Sequence, residues 1–458
     1  MNRRHLCCLA FSALFLVPSD YARTQDTATA KPVTEKRFNI PDTDDSLLGE
    51  GPIRRADWFR NLWNQRRTEF ANHMEQDRDS VVFFGDSITQ GWGDGLSKMF
   101  PELKVANRGI SGDTTRGMLN RLEVDVLQLN PTAVVMLMGT NDLEEQATPE
   151  TITGNVKRIF DRISQHDSET PIVMCLVMPS SESKKRPADK IKELNQFYLE
   201  LAKSYPRVLV LDSYALFANE KGDAKEAEFP DLLHPNGAGY AKWAAALRPG
   251  LATLGFVETE DDKFVAEDGF EMLFNGKDLT GWGYHPTSPA MLKMIENWKK
   301  RDKAAPNLPV VKEAVWFEGA TSSPDGRYVA KHGRLIVTAP TQGRLIQQLW
   351  TERELAGNFE LRLEFRAMPM ADSGVFIREP QLQCRDYLTA GPYTKLTKYK
   401  AQDWNELVVN VKDNVAHCTC NGEVLEAALK VPDSGPIGLE GDRGQMEYRR
   451  IRVKMLPK

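Results

Sequence analysis

A serine stands in Phe84-Gly85-Asp86-Ser87-Ile88-Thr89, directly after a short apolar run, and far downstream a carboxylate precedes an imidazole by three residues in Asp231-Leu232-Leu233-His234-Pro235. A hydroxyl, an imidazole and a carboxylate are the parts of an activated serine nucleophile. The imidazole takes the hydroxyl proton and later gives it to the leaving group, while the carboxylate fixes the tautomer and supports the imidazolium. One turn of chain can bring Asp231 and His234 to the same side. A serine at a sharp strand-to-helix turn is exposed and sits beside N–H groups that a helix start leaves unpaired. Taken alone, a Gly-Asp-Ser turn is also explained as an N-cap. Two further segments, Gly109-Ile110-Ser111-Gly112-Asp113-Thr114 and Gly139-Thr140-Asn141-Asp142, supply what that reading lacks. Glycine lets a backbone N–H approach a reacting oxygen, and an asparagine amide adds a neutral donor, so the pair reads as an oxyanion hole.

These segments must be positioned by something, and the runs before them say what. Val81 to Phe84, Val105 with its neighbours, Ala133 to Met138, Ile172 to Met178 and Val208 to Leu211 are short and apolar on both faces, as strands of a covered parallel sheet should be. The stretches 115–129, 149–166, 187–204 and 237–253 supply crossover helices, and 54–76, with Phe59, Leu62, Trp63 and Phe70 at helical spacing, predicts a further amphipathic one. The expectation is an α/β, five-stranded doubly wound domain, in which ligands bind beyond the carboxyl ends of the strands. The polar segments lie directly after those ends.

Gly-Asp-Ser-Ile-Thr, Gly-Ile-Ser-Gly-Asp-Thr-Thr, Gly-Thr-Asn-Asp and Asp-Leu-Leu-His-Pro resemble the four blocks of the SGNH (GDSL-type) hydrolases over residues 50–257. The resemblance implies a flavodoxin-like fold with Ser87 as nucleophile, Gly112, Asn141 and the Ser87 N–H as oxyanion hole, and Asp231 and His234 completing a triad. The stretch 112–122 is most similar to the platelet-activating-factor acetylhydrolase-like branch, which implies short acyl groups such as acetate.

Beyond a charged connector at 258–267 the helix–strand alternation stops. Phe359, Leu361, Leu363 and Phe365 alternate with charged residues, Leu407, Val409 and Val411 alternate again, and Asn421-Gly422 is a hairpin signal. This predicts an all-β sandwich of jelly-roll type, interrupted at 289–305 by a lysine-rich helical insertion read as a solvated face. Leu273 to Trp282, Ser373 to Arg378, Asp403-Trp404-Asn405 and Gly438-Leu439-Glu440 resemble landmarks of the 3-keto-disaccharide hydrolase (DUF1080) family, whose fold is a concanavalin-like jelly roll. The resemblance covers about 268–458 and implies a site around Arg378, Gln383 and Asp386. Where that family carries Glu-x-Gln-x-x-Asp this chain has Gln381-Leu382-Gln383-Cys384-Arg385-Asp386, and an amide cannot serve as acid or base. Trp282, Trp350 and Trp404 could stack on sugar rings, although core or rim positions explain them as well.

Met1-Asn2-Arg3-Arg4-His5 followed by apolar Leu6 to Val17 matches an export leader ending near Ala22 or Ala30, too short to span a bilayer. The expected organisation is a leader over 1–30, a linker over 31–49, the hydrolase domain over 50–257, a linker over 258–267 and the sandwich over 268–458. A net charge of -5 offers no basic field for nucleic acid. His285, His332 and His417 lack metal-ligand spacing, and neither metal nor cofactor is expected. Of the cysteines after the leader, Cys175 reads as buried, and a bridge from Cys384 to Cys418 or Cys420 is open. The sequence thus points to a secreted or periplasmic esterase acting on a small-molecule or carbohydrate ester. Its alternative is a 3-keto-glycoside hydrolase with the C-terminal domain as main catalyst.

Overall fold

Five short strands, each apolar toward both sides, can be satisfied only by a sheet covered on both faces. That sheet is present: β1 (Val81–Gly85), β2 (Val105–Gly109), β3 (Ala133–Leu137), β4 (Ile172–Cys175) and β5 (Val208–Leu211) pair in parallel in the order β2-β1-β3-β4-β5. The computed structural model describes residues 38–301, 308–340, 344–388, 392–393 and 395–457, so the expected leader lies outside the described residues. The strand order reverses between β1 and β3, which opens a crevice at their carboxyl ends.

Helices α1 (Asp57–Asn72), α2 (Thr115–Asp125), α3 (Pro149–His166), α4 (Ala188–Ala202) and α5 (Gly237–Leu254) cover the sheet. On one face Met118, Leu122, Ile152, Ile159 and Leu194 close over Val82, Val134 and Met174. On the other, Trp243 and Leu247 of α5 close over Phe83, Val135 and Val173. Each such fully buried side chain contributes roughly 1.5–3 kcal/mol. The fourth apolar run, read to Met178, leaves the ladder after Cys175. There the Asn195 amide replaces a neighbouring strand, accepting from the Val177 N–H at 2.8 Å and donating to the Val177 carbonyl at 3.0 Å.

The remaining strands are β6 (Glu271–Met272), β7 (Trp282–Tyr284), β8 (Val315–Trp316), β9 (Tyr328–Lys331), β10 (Arg334–Val337), β11 (Gln347–Ala356) and β12 (Phe359–Ala367). They are followed by β13 (Asp372–Ile377), β14 (Gln381–Arg385), β15 (Asn405–Lys412), β16 (Val415–Cys420), β17 (Glu423–Lys430), β18 (Ser434–Gly441) and β19 (Met446–Met455). They form two antiparallel sheets, one ordered β17-β16-β15-β12-β19-β10-β9 with β6 on β19, the other β14-β13-β18-β11-β7-β8. The alternating residues of β12 give the core Phe359, Leu361, Leu363 and Phe365, packed with Leu349, Val375 and Leu439 of the facing sheet. This is a jelly-roll-type sandwich. Cys175, Cys384, Cys418 and Cys420 are free and buried, and burial pushes the Cys418 and Cys420 thiols up to about 12. The Cys384 bridge is therefore absent. The insertion forms helix α6 (Pro289–Arg301) with Ile295 buried.

Residues 38–458 form one compact unit. The last turn of α5 is met by the sandwich: Lys331 Nζ donates to Thr253 O at 3.0 Å, Arg334 Nη2 to Ala252 O at 3.3 Å and Gln445 Nε2 to Pro249 O at 3.2 Å. The charged connector is paired too, with Glu258 on Arg366, Asp262 on Arg450 and Glu267 on Arg452.

Candidate active site

Strand β1 ends at Gly85, and Asp86 turns the chain into a helical turn over Ser87–Gln90 by accepting the Ile88 N–H at 2.9 Å. The N-cap leaves Ser87 half-buried at the first position of this turn, directly beyond the carboxyl end of β1. The N-cap expectation for the Gly-Asp-Ser turn therefore holds for Asp86. Asp86 is fully enclosed, and burial pushes its carboxyl up to about 6.

His234 Nε2 lies 2.9 Å from Ser87 Oγ, and His234 Nδ1 lies 2.7 Å from Asp231 Oδ2. The loop that carries them is fixed from several sides. Asp231 Oδ1 accepts the Leu233 and His234 N–H groups at 3.0 and 2.7 Å, and Ser180 Oγ donates to Leu232 O at 2.8 Å. Leu232 sits at φ 61°, a left-handed conformation that costs a branched residue roughly 1–2 kcal/mol. Asn236 then caps α5 by accepting the Gly239 N–H at 3.0 Å. Burial acts to raise the Asp231 pKa, but the hydrogen bonds from the His234 N–H, the His234 ring and the Leu233 N–H outweigh it and take the carboxyl to about 2.

Gly112 adopts φ 83°, and a Cβ there would fall 2.7 Å from Trp58 Cη2 and 2.9 Å from Arg54 Nη1. Only glycine suits both the backbone and the space. Among the described residues neither the Ser87 nor the Gly112 N–H has a hydrogen-bond partner. Asn141, in the helical turn Thr140–Glu144 after β3, is buried, and its Nδ2 donates to Asp113 O at 2.9 Å, which leaves a second amide hydrogen.

Sequence reasoning misses the residues that hold these groups. Arg186 donates from Nη2 to Asn141 Oδ1 at 3.0 Å and from Nε to Thr140 O at 2.9 Å. Arg121 joins Asp113 Oδ2 at 2.7 Å to the Gly85 carbonyl at 3.0 Å, tying the loop after β2 to the end of β1. Asp142 accepts the Thr115 N–H at 2.9 Å and hydroxyl at 2.6 Å. Arg121 and Thr115 lie inside the stretch 112–122, whose resemblance is a signal that could have found them; nothing local in the sequence marks Arg186.

The three C-terminal positions lie just past β13, on β14 and just past β14. On β14, Gln381, Gln383 and Arg385 share the outer face, while Leu382, Cys384 and the following Asp386 turn into the sandwich. Asp386 accepts the Met370 N–H at 3.1 Å and the Tyr399 hydroxyl at 3.3 Å. Arg378 sits at the hairpin end of β13, its Nε donating to Leu355 O at 2.9 Å and its other nitrogens to the Gly357 and Pro432 carbonyls. Of the three tryptophans, Trp282 is core, and Trp404 lies under Arg366 and Arg449 at 4.6 and 4.0 Å. No three His, Cys, Asp or Glu side chains cluster as metal ligands among the described residues.

Comparison with known proteins agrees with both halves of this architecture. The GDSL-like lipase/acylhydrolase family matches residues 83–242, and a 3-keto-alpha-glucoside-1,2-lyase-like domain matches residues 269–454. The chain is 28% identical over 199 residues to platelet-activating factor acetylhydrolase IB subunit alpha1 of Rattus norvegicus, covering 42% of this chain and 83% of that one. It is 28% identical over 208 residues to the alpha2 subunit of Homo sapiens, covering 44% and 88%. Among solved structures it is similar to a GDSL-like lipase of Bacteroides thetaiotaomicron, 25% identical, with a TM-score of 0.37 and coverage of 41% of this chain and 98% of the other. The crevice at β1 and β3 thus belongs to a GDSL-like lipase/acylhydrolase domain, and this chain joins it to a 3-keto-alpha-glucoside-1,2-lyase-like domain that follows.

Proposed function

We propose that this protein is an exported serine esterase that removes short acyl groups, acetyl above all, from carbohydrate esters, and that its C-terminal domain holds the carbohydrate. The observation that carries the reading is the 2.9 Å contact of Ser87 Oγ with His234 Nε2, backed by Asp231 at 2.7 Å. With Nδ1–H donated to the Asp231 carboxylate, Nε2 is the acceptor for the Ser87 proton. Ser87 Oγ attacks the ester carbonyl, and the negative oxygen is received by the Ser87 and Gly112 N–H groups and the Asn141 amide. The imidazolium returns its proton to the departing alcohol, and water repeats the sequence on the acyl-enzyme.

Preference for a small acyl group is supported by Trp58 and Arg54 closing over Gly112, and by the acetylhydrolases among the relatives. Export is supported by the basic-then-apolar run Met1 to Val17. No helix among the described residues is long and apolar enough to cross a membrane. The alternative, 3-keto-glycoside cleavage by the C-terminal domain, draws on the domain match over residues 269–454. The test is turnover of p-nitrophenyl acetate and acetylated xylan by the wild type and by Ser87→Ala. Loss of both activities is expected, and equal turnover by the two proteins would exclude Ser87 from the reaction.

A further inference from the structure

The segment ahead of α1 lies outside the residues that match the acylhydrolase family, yet it is bound to the elements around Gly112. The Asn120 amide on α2 bonds the Leu48 N–H and carbonyl at 2.8 and 2.9 Å, and the Asn155 amide on α3 does the same for Glu50 at 3.1 and 2.8 Å. The Thr114 hydroxyl donates to Pro52 O at 2.7 Å, and Ile53 is buried. None of these contacts uses the Arg54 side chain. They fix the backbone beside Arg54 and leave its guanidinium for another task. That side chain is only 15% exposed, and its Nη1 lies 2.9 Å from where a Cβ on Gly112 would fall.

The other nitrogens of Arg54 reach the end of the turn that begins at Thr140. Nε donates to Glu145 Oε1 at 2.9 Å and Nη2 to Glu144 Oε2. The same Glu144 oxygen accepts from Arg186 Nη2 at 2.9 Å, and that nitrogen also holds Asn141 Oδ1 at 3.0 Å. Asn141 in turn donates to the carbonyl of Asp113, the residue after Gly112, at 2.9 Å. The contacts thus close a ring, from the Gly112 loop through Arg54, Glu144, Arg186 and Asn141 back to that loop. Burial acts to raise the Glu144 pKa, but the Arg186 and Arg54 guanidiniums outweigh it and hold the carboxyl below its usual range. Hydrogen bonds between ionised partners are roughly twice as strong as those between neutral groups, so this shared oxygen is a firm joint. Gly112 and Asn141 stand on loops after different strands, and an oxyanion hole works only while its donors keep their spacing as charge develops.

We propose that Arg54 is a positioning residue of the oxyanion hole, which through Glu144 and Arg186 sets the Asn141 amide at its distance from the Gly112 N–H. The segment before α1 is then a working part of the site. The proposal rests on the reading of this crevice as a serine esterase. The experiment is steady-state kinetics of the full-length protein on p-nitrophenyl acetate, with Arg54→Met, Arg186→Met and the two combined, each checked for folding by circular dichroism. Arg54→Met should lower kcat by about 10-fold with KM unchanged, as a misplaced oxyanion donor does. The combined variant should fall no more than about 2-fold below Arg186→Met alone, because both residues act through one ring. Glu144→Gln removes the shared carboxylate and should lower kcat in the same way, so it tests the ring even if Arg54→Met fails to fold. Wild-type kcat in a folded Arg54→Met or in Glu144→Gln, a change confined to KM, or losses that multiply in the combined variant would discard the ring while leaving the esterase reading intact. Absence of turnover by the wild type would overturn both.

Discussion

Arg186 Nη2 donates to the side-chain carbonyl of Asn141 at 3.0 Å, and that bond decides which way the amide faces. With Oδ1 held by a cation, the Asn141 NH₂ must point the other way, one hydrogen on Asp113 O and the other without a hydrogen-bond partner among the described residues.

Arg186→Met should therefore lower kcat on p-nitrophenyl acetate by about 10- to 100-fold with little change in KM, since a donor that acts only on the developing oxyanion is misaimed. Steady-state kinetics at constant pH checks this, and an unchanged kcat would show that the amide orients itself.

Asp231→Asn should reduce kcat by about 10²- to 10⁴-fold, because an amide cannot hold the imidazole in the tautomer that accepts from Ser87. The Asp231 carboxyl is depressed to about 2, below the usual carboxylate range, so it stays ionised above that value. Its stabilising contribution is present above the ordinary aspartate pKa of about 4 and disappears only as pH falls from there toward 2.

Trp58 is half exposed and stands over Gly112. Trp58→Ala should raise kcat/KM for butyrate and hexanoate esters relative to acetate by about 10-fold or more, since each admitted methylene contributes roughly 0.8 kcal/mol. An unchanged ratio across the p-nitrophenyl ester series would place the acyl group elsewhere.

Arg121 and Asp113 are both fully enclosed. Arg121→Met should destabilise the protein by about 3–5 kcal/mol, because it strands the Asp113 carboxyl and frees the Gly85 carbonyl. Burial already pushes Asp113 up to about 7. Urea unfolding gives the value; a loss below about 1 kcal/mol would mean the loop relaxes without its tie.

The parallel sheet is legible in the sequence because strands buried on both faces must be apolar throughout, and Ser87, Asp231 and His234 stand out in it as a hydroxyl, a carboxylate and an imidazole, which the fold brings within hydrogen-bond distance. Arg186 is not: it comes from a loop 45 residues after Asn141, and only the folded chain shows the two together. The surroundings of Gln383 and Asp386 are not legible in the sequence: Gln383 stands on the outer face of β14, and Asp386, just past its end, is buried with Met370 and Tyr399. The role of α6 is hidden for a different reason. Its lysines are solvated as expected, but Met291 and Met294 on its other side close a cavity whose far wall comes from β11 and β13, which no local pattern reveals.

The contacts of Lys331, Arg334 and Gln445 with the end of α5 bear on how the two halves could be separated. Helix carbonyls carry partial negative charge at their last turn, and here the next domain supplies the cations and the amide that answer it. A fragment ending at residue 257 would begin to fray from its own C-terminus, in the helix whose first turn starts three residues after His234. The esterase half is thus no detachable cassette, and shortening the gene would be felt at the imidazole.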